Sequence, residues 1–252
     1  MTNCSTVASI VTMLDARTLK VLATTPVGDS PQDDLLVDER NQRVYVSTID
    51  GVEVLDARTG RRLVRIPLQA HVLAIDEAAN RVFLADSSSD LLLLDGRTSQ
   101  VLSILAGISP IEEESPGTTM AVDPRTGHVY YAAAPAGGWR GGPPAAVRLY
   151  EADGATGRVV RSCPIGAHPS AVAATRGGLV IVTDYGTNTA TVVGMAGCVV
   201  IRSVRVAPRP SNIAVGTASN TMAIVSNTPQ GPAPRSGSAP APTSTTVTIV
   251  AL

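Results

Sequence analysis

The chain has 252 residues and a formal net charge of −1, from 20 basic and 21 acidic side chains, so it carries no electrostatic footprint for nucleic acid or an anionic membrane. No apolar run approaches the roughly 18 residues of a membrane helix, and Met1-Thr2-Asn3-Cys4-Ser5 lacks the charged and apolar regions of a signal peptide. One Trp, five Tyr and one Phe leave the core to Val, Leu, Ile and Ala.

Along the chain, short β-branched runs bounded by Gly, Asn, Asp and Pro read as strands. Two come first, at 7–14 and 20–27. A four-strand repeat (35–68) follows, with strands at 35–39, 43–48, 51–56 and 62–68. The next (71–107) has 71–77, 81–87, 91–96 and 100–107. The third (118–166) has 118–124, 128–134, 145–153 and 158–166, with a loop insert at 135–144. The fourth (171–206) has 171–176, 179–185, 190–196 and 199–206. The last (212–252) is incomplete, with 212–218, 221–227 and 245–252 around a Pro-rich insert at 229–244.

Two motifs mark the repeat. Leu14-Asp15-Ala16-Arg17-Thr18 returns as Leu55-Asp56-Ala57-Arg58-Thr59-Gly60 and Leu94-Asp95-Gly96-Arg97-Thr98, and more loosely as Asp153-Gly154-Ala155-Thr156-Gly157. Between these copies lie Leu36-Val37-Asp38-Glu39, Ala74-Ile75-Asp76-Glu77 and Ala121-Val122-Asp123-Pro124. A period near 40 without helical patterning predicts an all-β propeller. Residues 1–252 are expected to form one domain of four-stranded antiparallel blades, about five plus a partial one, with 21 strands and strands a to d in each complete blade. Because the first element reads as a c strand and the last blade stops at c, an open or imperfectly closed ring is expected. Such a ring is either part of a longer parent or a reduced propeller, and its uncovered edges favour self-association.

The recurring aspartates read as turn formers, each carboxylate accepting N–H bonds across its turn. Asn41, Asn80, Gly127, Gly178 and Asn220 fall between strands a and b, where φ > 0 is commonly needed. Leu91-Leu92-Leu93-Leu94 and Val180-Ile181-Val182 are apolar on both faces, as strands sandwiched between blades should be. Cys4, Cys163 and Cys198 have no metal-site spacing. The preferred reading of Cys163 and Cys198 is two small apolar residues, with a disulfide between them as the alternative.

Val44-Tyr45-Val46-Ser47, Val82-Phe83-Leu84-Ala85, Val129-Tyr130-Tyr131-Ala132 and Val180-Ile181-Val182-Thr183 occupy the b strands. With the turn phrases above, these stretches resemble the YVTN-repeat propellers, a family of secreted or periplasmic bacterial proteins. The likeness covers nearly the whole chain. It weakens from residue 167, where the aspartate of strand a becomes Ala174 and then Gly216. It implies seven-bladed relatives and no universal catalytic motif. It also implies a periplasmic or secreted location should the amino terminus be truncated, whereas the residues themselves fix no location.

Counting antiparallel reversals places the b–c loops and d–a links on one face. That face is the expected binding surface. It carries Trp139 and Arg140 in the first insert, with His71, His168, Asp33, Asp34, Glu113 and Arg209 near the links. The preferred reading is a non-enzymatic binding or interaction module for a protein, glycan or small ligand, with no cofactor. The alternative is a propeller enzyme. It would be a lactonase-like hydrolase holding a divalent cation between carboxylates and histidines, or a quinone- or metal-dependent oxidoreductase.

Overall fold

The structure, a computed structural model, describes residues 9–28, 31–86, 91–105, 108–110, 120–135, 147–175, 178–216, 221–229 and 243–251. Two compact units divide the chain, residues 1–107 and 108–252. Every sheet is antiparallel, and the helical content of the described residues is a single 3-10 turn at Met195–Gly197.

In the first unit, β1 (Ile10–Leu14) pairs with β2 (Val21–Pro26). One blade follows as β3 (Pro31–Asp38), β4 (Arg43–Thr48), β5 (Gly51–Asp56) and β6 (Arg62–Ile66). The next is β7 (Ala70–Asp76), β8 (Arg81–Asp86), β9 (Leu91–Asp95) and β10 (Val101–Leu105).

The second unit opens on β11 (Ile108–Pro110) and β12 (Met120–Val122), which both pair with β13 (His128–Pro135). That blade continues through β14 (Arg148–Asp153) and β15 (Val159–Pro164). A regular blade follows, with β16 (Pro169–Ala174), β17 (Leu179–Asp184), β18 (Thr189–Gly194) and β19 (Val199–Arg205). The last has β20 (Pro210–Gly216), β21 (Thr221–Pro229) and β22 (Thr243–Ala251).

Five sheets of three to five strands are thus the blades of a β-propeller, and β1–β2 is a sixth, two-stranded sheet. Within each unit the first strands lie side by side, β3 beside β7, and β12 beside β16 beside β20. Among the described residues β2 pairs only with β1 and β22 only with β21, so no ladder of hydrogen bonds closes the propeller. Against the expected 21 strands, the described residues form 22. The single a strand expected at 118–124 is β12, and a separate β11 pairs with the far end of β13, opposite Ala133 to Pro135.

Two-faced strands explain the stacking of blades. On β4, Tyr45 enters a cluster with Val52, Val54, Val82, Leu84, Leu92 and Leu94, while Val44 and Val46 point the other way, towards Val27 and Leu55. On β17, Val180 and Val182 join Tyr130, Leu149 and Cys163, while Ile181 faces Met222 and Ile224. Alternation at period two sends successive side chains into different inter-blade cores. Both faces must then be apolar, and their burial at ~25 cal/mol per Å² is the main stabilising term.

One turn geometry is reused throughout. An Asp begins it, and the residue four positions later has φ > 0: Leu19, Gln42, Gly60, Asn80, Ser99, Gly127, Gly157 and Asn188 follow Asp15, Asp38, Asp56, Asp76, Asp95, Asp123, Asp153 and Asp184. At Asp56 the Oδ1 accepts from the N–H of Arg58 (3.0 Å), the N–H of Thr59 (2.8 Å) and the Thr59 hydroxyl (2.8 Å). Asn80, Gly127 and Gly178 have the expected positive φ. In the first full blade the left-handed residue is Gln42, not Asn41, because the turn counts four from Asp38. Asn41 instead donates to Asp38 Oδ2 (2.8 Å) and to Asn80 Oδ1 of the neighbouring blade (2.7 Å). Asn220 lies outside the described residues.

These turns make a pH prediction. The carboxyls of Asp15, Asp56, Asp95 and Asp153 are held below their ordinary 3.8. The hydroxyl of Thr18, Thr59 or Thr156 is the main cause at three of them, and the Thr98 N–H at Asp95. A group whose folded value is depressed contributes stability that is present above its unfolded pKa and is lost as pH falls through the folded one. Melting temperature is therefore expected to hold from neutral pH down to about 4 and to drop below that. A thermal scan series that shows rising stability on acidification would contradict this.

Candidate functional site

The structure brings two of the sequence-selected residues, His168 and Arg209, to one turn. It joins β17 to β18 and reads Asp184-Tyr185-Gly186-Thr187-Asn188. Asp184 is 6 % exposed and organises it. Its Oδ1 accepts from the Thr187 N–H (2.8 Å) and hydroxyl (3.0 Å), and its Oδ2 accepts from the His168 N–H (3.0 Å). The Tyr185 N–H in turn donates to the His168 carbonyl (3.0 Å). The link entering β16 is thereby fastened to the β17–β18 turn of its own blade.

The link entering β20 grips the same turn from the next blade. Asn188 Oδ1 accepts from the Arg209 N–H (2.8 Å), and the Asn188 carbonyl accepts from the Val206 N–H (3.0 Å). Arg209 itself has φ +55. Two d–a links, from successive blades, therefore lie at the same end as a b–c turn.

Small residues make the contact close. A Cβ on Gly166 would stand 2.2 Å from Asp184 Oδ2, and one on Gly186 would stand 2.6 Å from His168 Cδ2. The imidazole lies over Gly186 with the Tyr185 ring at 5.1 Å and 45°. His168 Nδ1 is buried with no hydrogen-bond partner. Around this centre the exposed guanidinium residues are Arg209 and Arg205, the latter opposite Thr189 in the β18–β19 register. Neither has an ion-pair partner among the described residues. The surface offers a half-buried aromatic ring, an imidazole and two cations, with its one carboxylate committed to the turn.

His71 lies in β7, and Asp33 and Asp34 lie in β3, so all three belong to the first unit. Trp139, Arg140 and Glu113 fall outside the described residues, as do residues 136–144 and 230–242 of the two inserts. Sequence reading missed Asp184, Tyr185 and Asn188. A signal was present: Asp184-Tyr185-Gly186-Thr187 repeats the Asp-x-x-Thr spacing of the other turns.

A second polar cluster sits in the preceding blade. Glu151 meets His128 Nδ1 at 2.6 Å, Arg161 Nε at 2.8 Å and the Tyr130 hydroxyl at 3.4 Å. Arg161 also donates to the Met195 carbonyl of the next blade (2.8 Å). Burial chiefly, with Glu151 and Asp123 beside it, pushes the Tyr130 hydroxyl well above its ordinary range. The buried carboxylate is ion-paired to Arg161 and bonded to His128, which opens β13; this is a structural network. Among the described residues no three His, Cys, Asp or Glu side chains converge to hold a metal.

One expectation is overturned outright. Cys163 and Cys198 are not two separate apolar residues; they form a disulfide, with S–S 2.03 Å and Cα–Cα 5.3 Å. Sequence spacing hides this, because Cys163 is on an outer strand and Cys198 follows the 3-10 turn of the next blade, 35 residues on.

No family model matches the chain, and no curated protein matches its sequence. Among solved structures, a chain of Kuenenia stuttgartiensis hydrazine synthase is similar, with a TM-score of 0.63 and 16 % identity. The match covers 86 % of this chain and 62 % of that one. The chain is a β-propeller. It spans less than two thirds of the hydrazine synthase chain, and at 16 % identity the likeness shows the fold alone. In all, 1468 chains of solved structures match, and an architecture shared by so many structures assigns no activity.

Proposed function

We propose that this propeller is a non-enzymatic binding module, and that the end carrying the d–a links and b–c turns is its contact surface. The observation that carries this reading is the convergence of two links, from successive blades, on the turn 184–188. Rigid strands hold His168, Tyr185 and Arg209 at positions fixed by backbone bonds, which suits recognition by a preformed surface. The resemblance of the repeats to the YVTN propellers agrees with a scaffold role and an extracytoplasmic setting.

The free cations at Arg205 and Arg209 favour a ligand presenting an anionic group, and the Tyr185 ring adds flat apolar area. Immobilised libraries of acidic peptides and sulfated glycans test this directly. Wild-type protein is expected to select members that the doubly substituted Tyr185→Ala, Arg209→Ala protein binds at least ten-fold more weakly. Both side chains lie at a turn or link, so the melting temperature should change little. Equal binding by both proteins would refute the assignment of this surface.

A further inference from the structure

The Cys163–Cys198 bond joins the outer strand of one blade to the 3-10 turn of the next, where the strand-a aspartate of the repeat is absent. In the first unit, neighbouring blades are joined by Asn41 to Asn80, by the Glu39 N–H to Glu77 Oε1 (2.8 Å), by Arg40 to the Ala78 carbonyl (2.9 Å), and by the Tyr45 hydroxyl to the Gly96 carbonyl (3.1 Å). Most of these depend on the turn that the strand-a aspartate starts. In the β16–β19 blade that aspartate is Ala174, so the strand-a carboxylate is missing from this repeat. Among the described residues, the Arg161 bond to Met195 and the disulfide both join this blade to β13–β15 at its outer side. Both end on the same 3-10 turn, whose Met195 Sδ lies 4.0 Å from Cys163 Sγ.

We infer that the Cys163–Cys198 disulfide is a clasp between these two blades, and that the chain completes folding in an oxidising compartment. Structural disulfides form and persist there and are rare where thiol reductants dominate. Access orders the chemistry, because Cys198 is exposed and Cys163 is 1 % exposed. The Cys198 thiolate attacks the disulfide of a thiol–disulfide oxidoreductase and displaces one of its sulfurs as thiolate. The Cys163 thiolate then attacks the Cys198 sulfur of the mixed disulfide and displaces the second. Two electrons pass to the oxidoreductase, which becomes a dithiol, and the two protons lost by the cysteines balance those it takes up.

The test compares full-length protein made in a bacterial periplasm with the same chain made in the cytoplasm. Each is denatured without reductant, alkylated and weighed. One alkylated cysteine, Cys4, is expected in the periplasmic protein and three in the cytoplasmic one. Dithiothreitol should lower the melting temperature of the periplasmic protein by roughly 10 °C. The Cys163→Ser, Cys198→Ser protein should melt at the reduced temperature with or without reductant. Three alkylated cysteines in periplasmic protein, or a melting temperature indifferent to dithiothreitol, would overturn the inference, and neither readout depends on the variant folding.

Discussion

Replacing both Cys163 and Cys198 by alanine is expected to lower stability by about 3–4 kcal/mol, the largest effect of any change considered for this chain. The disulfide closes a loop with a sequence separation of 35. A cross-link of that span removes conformational freedom from the unfolded chain and stabilises the fold by that amount. Shortening Cys163 adds a smaller loss, because its sulfur is buried against Tyr130, Val193 and Met195. Cys198 is exposed, so the single substitution Cys198→Ala should cost nearly the whole cross-link term with little packing loss. Arg161→Ala, which removes the companion tie to Met195, should cost only about 1 kcal/mol, because the arginine is 38 % exposed and solvent screens its pairing with Glu151. Urea titrations of oxidised wild type and these variants separate the terms. A double variant within 1 kcal/mol of wild type would show that the bond carries no clasp.

Residue chemistry made the blades legible and the clasp illegible, for one physical reason. Blade strands are specified locally, by β-branched runs and by aspartates that set a left-handed residue four positions on. Strands 43–48 and 51–56 therefore fall where the sequence places them. Even the double-sided burial of Leu91 to Leu94 follows from their composition. Contacts between blades depend on how one sheet sits against the next, and that is not written within a period. Asn41 shows the boundary. Its position in a turn was readable, but its side chain serves the neighbouring blade and Gln42 takes the positive φ. The site at 184–188 was half visible. His168 and Arg209 immediately precede β16 and β20, on links whose position follows from the strand pattern. The turn that gathers them was hidden because its Asp-x-x-Thr signal occurs at a b–c connection, where the rest of the repeat has none.

Asp184→Ala is expected to cost about 3 kcal/mol and to loosen both His168 and the turn, because one buried carboxylate accepts three of the bonds that hold them. Hydrogen bonds to a charged partner contribute roughly 1.5–3 kcal/mol each, and part of that is recovered when water reaches the freed donors at this surface. Asp184→Asn should cost about half as much. Its amide oxygen can still accept from Thr187, but its NH₂ then faces the His168 N–H, donor against donor. Gly166→Ala tests the same arrangement from the other side, since the added Cβ would stand 2.2 Å from Asp184 Oδ2 and the carboxylate must move. A loss of about 1–3 kcal/mol is expected there, as for other overpacked sites. In all three proteins the near-ultraviolet circular dichroism of Tyr185 should weaken, because its contact with the imidazole depends on the link staying bonded. The site is thus built around Asp184 rather than around the side chains it presents. Should Asp184→Ala fall within 0.5 kcal/mol of wild type with an unchanged tyrosine signal, His168 is held by something other than this carboxylate.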